Sequence, residues 1–216
     1  RWTIAKFVAA ALLLGALYTL FGPRVYEANV LLQVEDAERS GGTLLGESAS
    51  SALNAKTPTA GEAEILKSRL VLGQAIEDTK LYIEARPLYL PLIGAWLARG
   101  TRELSQPGLL GMGGYVHGAE RIVVAQMDVP PELEGSRFLL TAGTRSGFTL
   151  THPKLAEPIV GTVGAPLDVE TALGPLHLLV GSMAGLPGAQ FELVRQSKQL
   201  TLLALQRDLR VIEKGK

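Results

Sequence analysis

The chain has 216 residues, of which 47% are hydrophobic and 19% are charged. Its 21 basic and 21 acidic residues cancel, so the charge balance does not favour a nucleic-acid partner, which usually binds a basic surface. The sequence has no cysteine, which excludes disulfides, thiolate metal sites and cysteine nucleophiles. The length suits one ordinary domain with an appendage.

The first 22 residues are strongly apolar. Phe7–Pro23 carries no charge, and a helix of about twenty residues spans roughly 30 Å, the thickness of a bilayer core. Arg1 and Lys6 place this end in the cytoplasm by the positive-inside rule. The sequence therefore predicts a transmembrane helix over residues 1–22. A cleaved signal peptide and a buried core helix are the alternatives.

The segment after the apolar run alternates between apolar and polar residues. Pro23 cannot continue a helix, and the period of two over Arg24–Asp36 predicts a strand joined directly to the membrane helix. Glu38–Gly61 is rich in small and polar residues, which predicts a solvated loop.

An amphipathic helix is predicted over Glu62–Lys80. Thr59 and Glu62 have capping-box spacing, so we expect Glu62 to be a cap residue and not a catalyst. The predicted apolar positions are Ile65, Leu66, Leu70, Leu72 and Ile76. We expect a further short helix after Pro91, followed by a loose glycine-rich segment at Thr101–Gly118.

From Arg121 onward, short strand patterns alternate with turns that contain glycine or proline. The strand patterns are "RIVVAQMDV", "RFLLTA", "GFTLTH", "EPIVGTVG", "GPLHLLVG" and "AQFELVRQ". A helix is expected at Ser197–Arg207, with Leu200, Leu203 and Ala204 on one face, and then a short strand in "LRVIEKG". These patterns predict an α+β fold with a mainly antiparallel, meandering sheet and flanking helices.

No catalytic, cofactor-binding or metal-binding residue is predicted. The glycine-rich run Gly111–Gly118 lacks the spacing of a phosphate loop and favours a flexible loop. The three histidines are His117, His152 and His177. None has ligand spacing or a carboxylate arranged with it, and His177 is expected on the polar face of a strand. Glu132 and Glu134 flank a turn and are expected to be exposed.

Five stretches resemble one known family in the same order along the chain. They are Pro23–Asp36, Glu62–Leu81 ("EAEILKSRLVLGQAIEDTKL"), "YLPLIGAWLARG", "ERIVVAQMDVPPELEG" and "LRVIEKGK". Together they resemble the Wzz-type chain-length determinants, also called polysaccharide co-polymerases, in the branch that is fused to bacterial tyrosine autokinases. We expect residues 1–22 to be the membrane helix and residues 23–216 the periplasmic domain, as an N-terminal fragment of a longer chain.

The resemblance implies a scaffold in the bacterial inner membrane that regulates the length and export of capsular or exopolysaccharide. The implied partners are identical protomers in a ring, the lipid bilayer, the polymerase and outer-membrane export machinery, and the nascent glycan. The fragment itself is expected not to be an enzyme, although its parent would be a tyrosine autokinase. The alternative is a membrane-tethered ligand-binding or adapter domain, for which Thr101–Gly118 is the candidate binding stretch.

The family's signature positions in this chain imply architectural roles. These positions are Pro23, Tyr26, Glu64, Leu66, Lys67, Ser68 and Arg69. Pro23 is expected to end the membrane helix, and Tyr26 to lie on the inner face of the strand. Lys67 and Arg69 are expected on the outer side of the helix, either solvated or paired with a neighbouring protomer; solvation is favoured because exposed ion pairs add little stability.

Overall fold

The structure, a computed structural model, has an α+β architecture, as the sequence predicts. It describes residues 2–4, 6–8, 11–12, 15, 28–30, 65–91, 94–108 and 113–210. By its contacts the chain divides into two units. The first combines Arg1–Arg24 with Lys80–Ser197, and the second combines Val25–Thr79 with Lys198–Lys216.

Three helices of two turns or more lie in the described ranges. They are α1 (Arg69–Thr79), α2 (Gly94–Gly100) and α3 (Lys198–Asp208). Within the second unit α1 and α3 contact each other, and Lys198 Nζ lies 2.5 Å from Glu77 Oε1. The short helix after Pro91 and the helix at Ser197–Arg207 are confirmed as α2 and α3.

Eight strands of the first unit form two antiparallel sheets. They are β1 (Ile83–Pro87), β2 (Arg121–Asp128), β3 (Arg137–Ala142), β4 (Gly147–Thr151), β5 (Ile159–Thr162), β6 (Leu167–Thr171), β7 (Gly174–Ala184) and β8 (Gln190–Arg195). One sheet has the order β1-β8-β3-β4-β5 and the other the order β2-β7-β6. A 3₁₀ turn at Pro131–Leu133 separates β2 from β3.

A single apolar core joins the two sheets. Alternate residues of β3, β4 and β8 from one sheet, and of β2 and β7 from the other, are buried together. Its largest fully buried side chains include Phe138, Phe148 and Phe191. The period-two pattern gives β3 and β4 one buried face each, and burial of these aromatic rings stabilises the fold.

The predicted simple meander is wrong in its connections. The last strand, β8, inserts between β1 and β3, while β2 pairs with β7. The sequence analysis also missed β1 and β6, which are five residues each and carry charged residues and, in β1, a proline. A local sequence pattern reveals a strand but not the strand that pairs with it. Strands that are far apart in the sequence pair according to how their apolar faces pack into a shared core.

The helix predicted over Glu62–Lys80 is interrupted in the structure, where Ile65 and Leu66 are helical, Lys67 and Ser68 are not, and α1 follows. Glu62 and Glu64 lie outside the described residues, and α1 begins only after Ser68, whose hydroxyl accepts the Val71 N–H at 3.3 Å. A serine in this position is a favoured helix cap. The predicted apolar face is also partly wrong, since Leu72 and Ile76 are buried but Leu70 is exposed.

The predicted strand and membrane helix at the start of the chain lie mostly outside the described residues. Residues 28–30, in the predicted strand Arg24–Asp36, are exposed and belong to neither a helix nor a strand. An alternating sequence needs a neighbouring strand to form a sheet, and the two described sheets are built without residues 28–30. In the ranges that the structure describes, no helix is long and apolar enough to cross a membrane.

Candidate functional site

The signature positions near α1 occupy surface and cap positions where the structure describes them. Lys67 and Arg69 are exposed, as predicted, Leu66 is half-buried, and Ser68 caps α1. The Lys67 carbonyl accepts a hydrogen bond from Gln206 Nε2 at 3.2 Å, which links the start of α1 to α3. Pro23 and Tyr26 lie outside the described residues.

A buried carboxylate organises the loop between α2 and β2. Glu120 is 2% exposed. Its Oε1 accepts the Ser105 N–H at 2.5 Å and the Ser105 hydroxyl at 2.8 Å, and its Oε2 accepts the Gly118 N–H at 2.9 Å. The Ser105 oxygen in turn accepts the His117 N–H at 2.9 Å. Glu120 therefore clamps both ends of the Thr101–Gly118 stretch.

The clamped loop borders an open cleft of about 460 Å³. Its lining residues are Thr101, Glu103, Leu104, Ser105, Gln106, Pro107, Gly108 and His117. The ring nitrogen Nδ1 of His117 is shielded from solvent and has no hydrogen-bond partner in the described part of the chain. The stretch that the sequence nominated as a binding loop thus does form a concave surface.

The expectation that no histidine has a carboxylate beside it is wrong for His177. Its Nδ1 lies 2.6 Å from Asp168 Oδ1, and because a carboxylate can only accept, Nδ1 carries the proton. Strand register sets Asp168 of β6 and Asp128 of β2 opposite His177 of β7. The hydrogen bond to Asp168 raises the pKa of His177, with the charges of Asp168, Asp128 and Glu170 adding to the effect. Its predicted place on the polar face of a strand is confirmed.

His152 has the opposite environment. Its ring packs against Phe138, with the ring centres 4.6 Å apart, and its Nδ1 accepts the Lys154 N–H at 3.1 Å. Burial lowers the pKa of His152, and the charge of Lys154 lowers it further. Because Nδ1 accepts, His152 is a neutral residue at the edge of the core.

Charged side chains of β8 tie the five-stranded sheet together. Glu192 lies 3.2 Å from Arg86 of β1 and 3.1 Å from Arg137 of β3. On the opposite face, the buried Arg195 lies over the Tyr82 ring at 4.5 Å and donates from Nε to the Met127 carbonyl at 3.1 Å. These contacts span three strands and stabilise the order of the sheet.

Several acidic side chains in the described part of the chain make structural contacts. Glu120 is committed to three donors, so it is poorly placed to act as a base. Across the described ranges, no group of three or more histidine and acidic side chains is placed to hold a metal ion. Glu132 and Glu134 are exposed, as predicted, and Glu134 lies 3.4 Å from Arg195.

Sequence reasoning nominated the stretch that lines the cleft but missed Glu120, the buried residue that fixes it. Glu120 stands directly before a strand, and nothing in its neighbours marks it as buried. Gly118 is the one local sign that the backbone is tightly packed here, because a Cβ at this position would lie 2.5 Å from the Glu103 carbonyl oxygen. A glycine in such a run indicates close backbone approach, but its partner can be named only from the structure.

Two families of known proteins match successive parts of the chain. Residues 1–79 match the chain length determinant protein family. Residues 83–196, more than half of the chain, match the family described as the N-terminal domain of the tyrosine-protein kinase Wzc. The chain belongs to the Wzc N-terminal domain family. This confirms the resemblance read from the motifs.

Relatives of this Wzc N-terminal domain are named as tyrosine-protein kinases. The putative tyrosine-protein kinase EpsB of Ralstonia nicotianae is 48% identical over 216 residues, which are 100% of this chain and 29% of the relative. The tyrosine-protein kinase Etk of Escherichia coli K12 is 27% identical over an aligned length of 221 residues, and the alignment covers 100% of this chain and 27% of the relative. The chain therefore spans less than a third of these relatives.

Proposed function

We propose that the chain is the periplasmic scaffold domain of an inner-membrane polysaccharide co-polymerase. It regulates the chain length and export of a capsular polysaccharide or exopolysaccharide, and it acts through oligomeric assembly and not through catalysis. The observation that carries this proposal is the ordered match to two families, the chain length determinants over residues 1–79 and the Wzc N-terminal domain over residues 83–196.

An exposed apolar surface on the helices supports the assembly of identical protomers into a ring. Leu200 and Leu203 of α3 are 63% and 53% exposed, and Leu70 of α1 is 84% exposed. The sequence analysis expected Leu200 and Leu203 on one apolar face of α3, but that face is not buried within the chain. Exposed leucines that share a helix face, as Leu200 and Leu203 do, are typical of surfaces that bind another protein, and a second protomer is the partner that the proposed function requires.

The proposal retains the expected membrane topology. Residues 1–22 form the transmembrane helix with the N-terminus in the cytoplasm, and residues 23–216 lie in the periplasm. The uncharged run Phe7–Pro23 and the basic residues Arg1 and Lys6 support this arrangement. The bilayer, the polymerase and the outer-membrane export machinery would then be partners of the whole protein.

The full-length parent is proposed to be a tyrosine autokinase, in keeping with the names of EpsB and Etk. The reading frame beyond Lys216 tests this part of the proposal. We expect a second apolar span, then a phosphate loop of the form GxxxxGK[ST], then a tyrosine-rich tail. A frame with the second span but no phosphate loop would make the protein a chain-length determinant without a kinase.

Deletion of the gene tests the function itself. Cells without the protein are expected to lose control of polysaccharide length, measured by size-exclusion chromatography of the purified polymer, and the intact gene on a plasmid is expected to restore it. An unchanged length distribution after deletion would overturn the proposed function.

The second candidate function is a membrane-tethered ligand-binding domain, favoured by the cleft at Thr101–Gly108. In that case deletion of the gene would leave the length of the polymer unchanged. The purified protein would nevertheless bind a ligand in the cleft.

A further inference from the structure

We propose that the cleft lined by Thr101, Glu103–Gly108 and His117 binds a neutral, hydroxyl-rich ligand, of which a short stretch of sugar chain is the best fit. The volume of about 460 Å³ falls within the roughly 300–1,000 Å³ of small-molecule sites. A few sugar units fill such a space, whereas a folded protein partner does not enter it.

The cleft is built from backbone that is fixed before any ligand arrives. The Glu103 carbonyl accepts the Ala119 N–H at 2.9 Å, and the Gly108 N–H donates to the Tyr115 carbonyl at 3.1 Å. Between these two points Glu120 holds Ser105 through its backbone and its hydroxyl. A ligand therefore does not have to order the loop, which lowers the entropy cost of binding.

The lining residues select the chemistry of the ligand. Glu103 is a carboxylate and accepts hydrogen bonds, while Gln106 can both accept and donate. Neither side chain is hydrogen-bonded within the described residues. No lysine or arginine is among the eight lining residues, so an anionic ligand such as a phosphate would meet a negative charge without a compensating positive one.

An apolar platform lies beside these polar groups. Leu104 is 40% exposed and Pro107 adjoins it in the lining. A sugar ring presents hydroxyl groups at its edge and C–H groups on its faces, so it can pair with the polar side chains and cover Leu104 at the same time. This combination favours a sugar over a purely apolar ligand.

His117 lines the cleft and has one buried ring nitrogen without a partner in the described part of the chain. Its Nδ1 is shielded from water and unpaired in the described part of the chain, and an unpaired buried polar atom in a native structure calls for a missing partner. The backbone of His117 is already fixed by its N–H bond to Ser105 Oγ.

The assignment of the sugar to the regulated polymer rests on the proposed function, but the ligand class does not. The experiment uses the full-length protein in detergent. The probes are short oligosaccharides released by mild acid from the exopolysaccharide of the source strain, with inorganic phosphate as the anionic probe. Affinity is measured by isothermal titration calorimetry.

Two cleft variants and one matched control decide the outcome. Glu103→Gln and Gln106→Ala are each expected to weaken oligosaccharide binding about tenfold, as the loss of roughly one hydrogen bond implies. Glu157→Gln removes an exposed carboxylate outside the cleft and is expected to leave the affinity unchanged. Since Glu103→Gln is nearly isosteric, it preserves the fold.

Three results would overturn the cleft proposal: no oligosaccharide binding by the unaltered protein, an affinity in both cleft variants equal to that of the unaltered protein, or tighter binding of phosphate than of sugar. Each of them leaves the proposed function standing if deletion of the gene still changes polymer length. Conversely, specific oligosaccharide binding with normal polymer length after deletion would support the cleft and refute the function.

Discussion

Removal of the Glu120 carboxylate is the most informative perturbation of the described structure. In Glu120→Ala the backbone N–H groups of Ser105 and Gly118 lose their acceptor in a buried place. Each unsatisfied donor costs about 1–3 kcal/mol, while the freed Ser105 hydroxyl can turn toward another acceptor. We therefore expect about 3 kcal/mol of local destabilisation. In Glu120→Gln the side-chain oxygen still accepts one hydrogen bond, but the side-chain N–H₂ group faces a backbone N–H that needs an acceptor. About half of the 3 kcal/mol destabilisation is therefore expected.

Hydrogen–deuterium exchange of the whole protein measures this loss at the loop itself. A change of about 3 kcal/mol corresponds to roughly a hundredfold faster exchange in Glu120→Ala at the Ser105 and Gly118 amides. The matched control is Glu132→Ala, an exposed carboxylate for which an effect within about 0.5 kcal/mol is expected. Unchanged exchange at Ser105 and Gly118 would refute the clamp. Equal acceleration throughout β3, β4 and β8 would show that Glu120 supports the core and not the loop.

Three further predictions concern titration, the core and the loop. Burial lowers the pKa of His152, so the stability that neutral His152 contributes is lost as pH falls below about 6.5. The hydrogen bond to Asp168 raises the pKa of His177, so the stability that protonated His177 contributes is lost as pH rises through that raised pKa. NMR titration of the ring protons should therefore show His152 titrating at lower pH than His177, and the reverse order would contradict both environments. Phe138→Ala should destabilise the protein by about 3–5 kcal/mol in urea unfolding, because the ring is fully buried, and a loss below about 1 kcal/mol would contradict its place in the core. Gly118→Ala should accelerate exchange in the loop, because the added Cβ would lie 2.5 Å from the Glu103 carbonyl oxygen, and unaltered exchange would show that the loop has room.

The sequence predicted the local elements well where one face of a strand is buried. The patterns "RFLLTA" and "AQFELVRQ" became β3 and β8, because Phe138 and Phe191 lie in one core. Burial alternates along β3, whereas β8, which lies between β1 and β3, is buried from Phe191 to Arg195. The sequence analysis missed β1, in which Arg86 and Pro87 disguise an edge strand held in place by its pairing with β8. Edge strands tolerate such residues, so their sequence carries little signal.

The candidate site was predictable only as a stretch of chain. Thr101–Gly118 could be nominated from its glycines and its lack of regular pattern. The feature that makes it a cleft is the contact of Glu120 with Ser105, which are 15 positions apart, and no local pattern encodes a bond of that separation. The same holds for His177, whose partner Asp168 lies on the neighbouring strand. Which charged residues face each other across two strands depends on the register of those strands, and the sequence alone does not determine that register.

In the proposed function, assembly of protomers, and not catalysis, sets polymer length. The most direct test measures two quantities in cells that carry Leu200→Glu with Leu203→Glu: the mass of the purified complex and the length distribution of the polysaccharide. Gln199→Glu adds charge at an exposed polar position of the same helix and serves as the control. The account predicts that the double variant breaks up the complex and loses length control together, while the control keeps both. Separated protomers that still give the normal length distribution would contradict it.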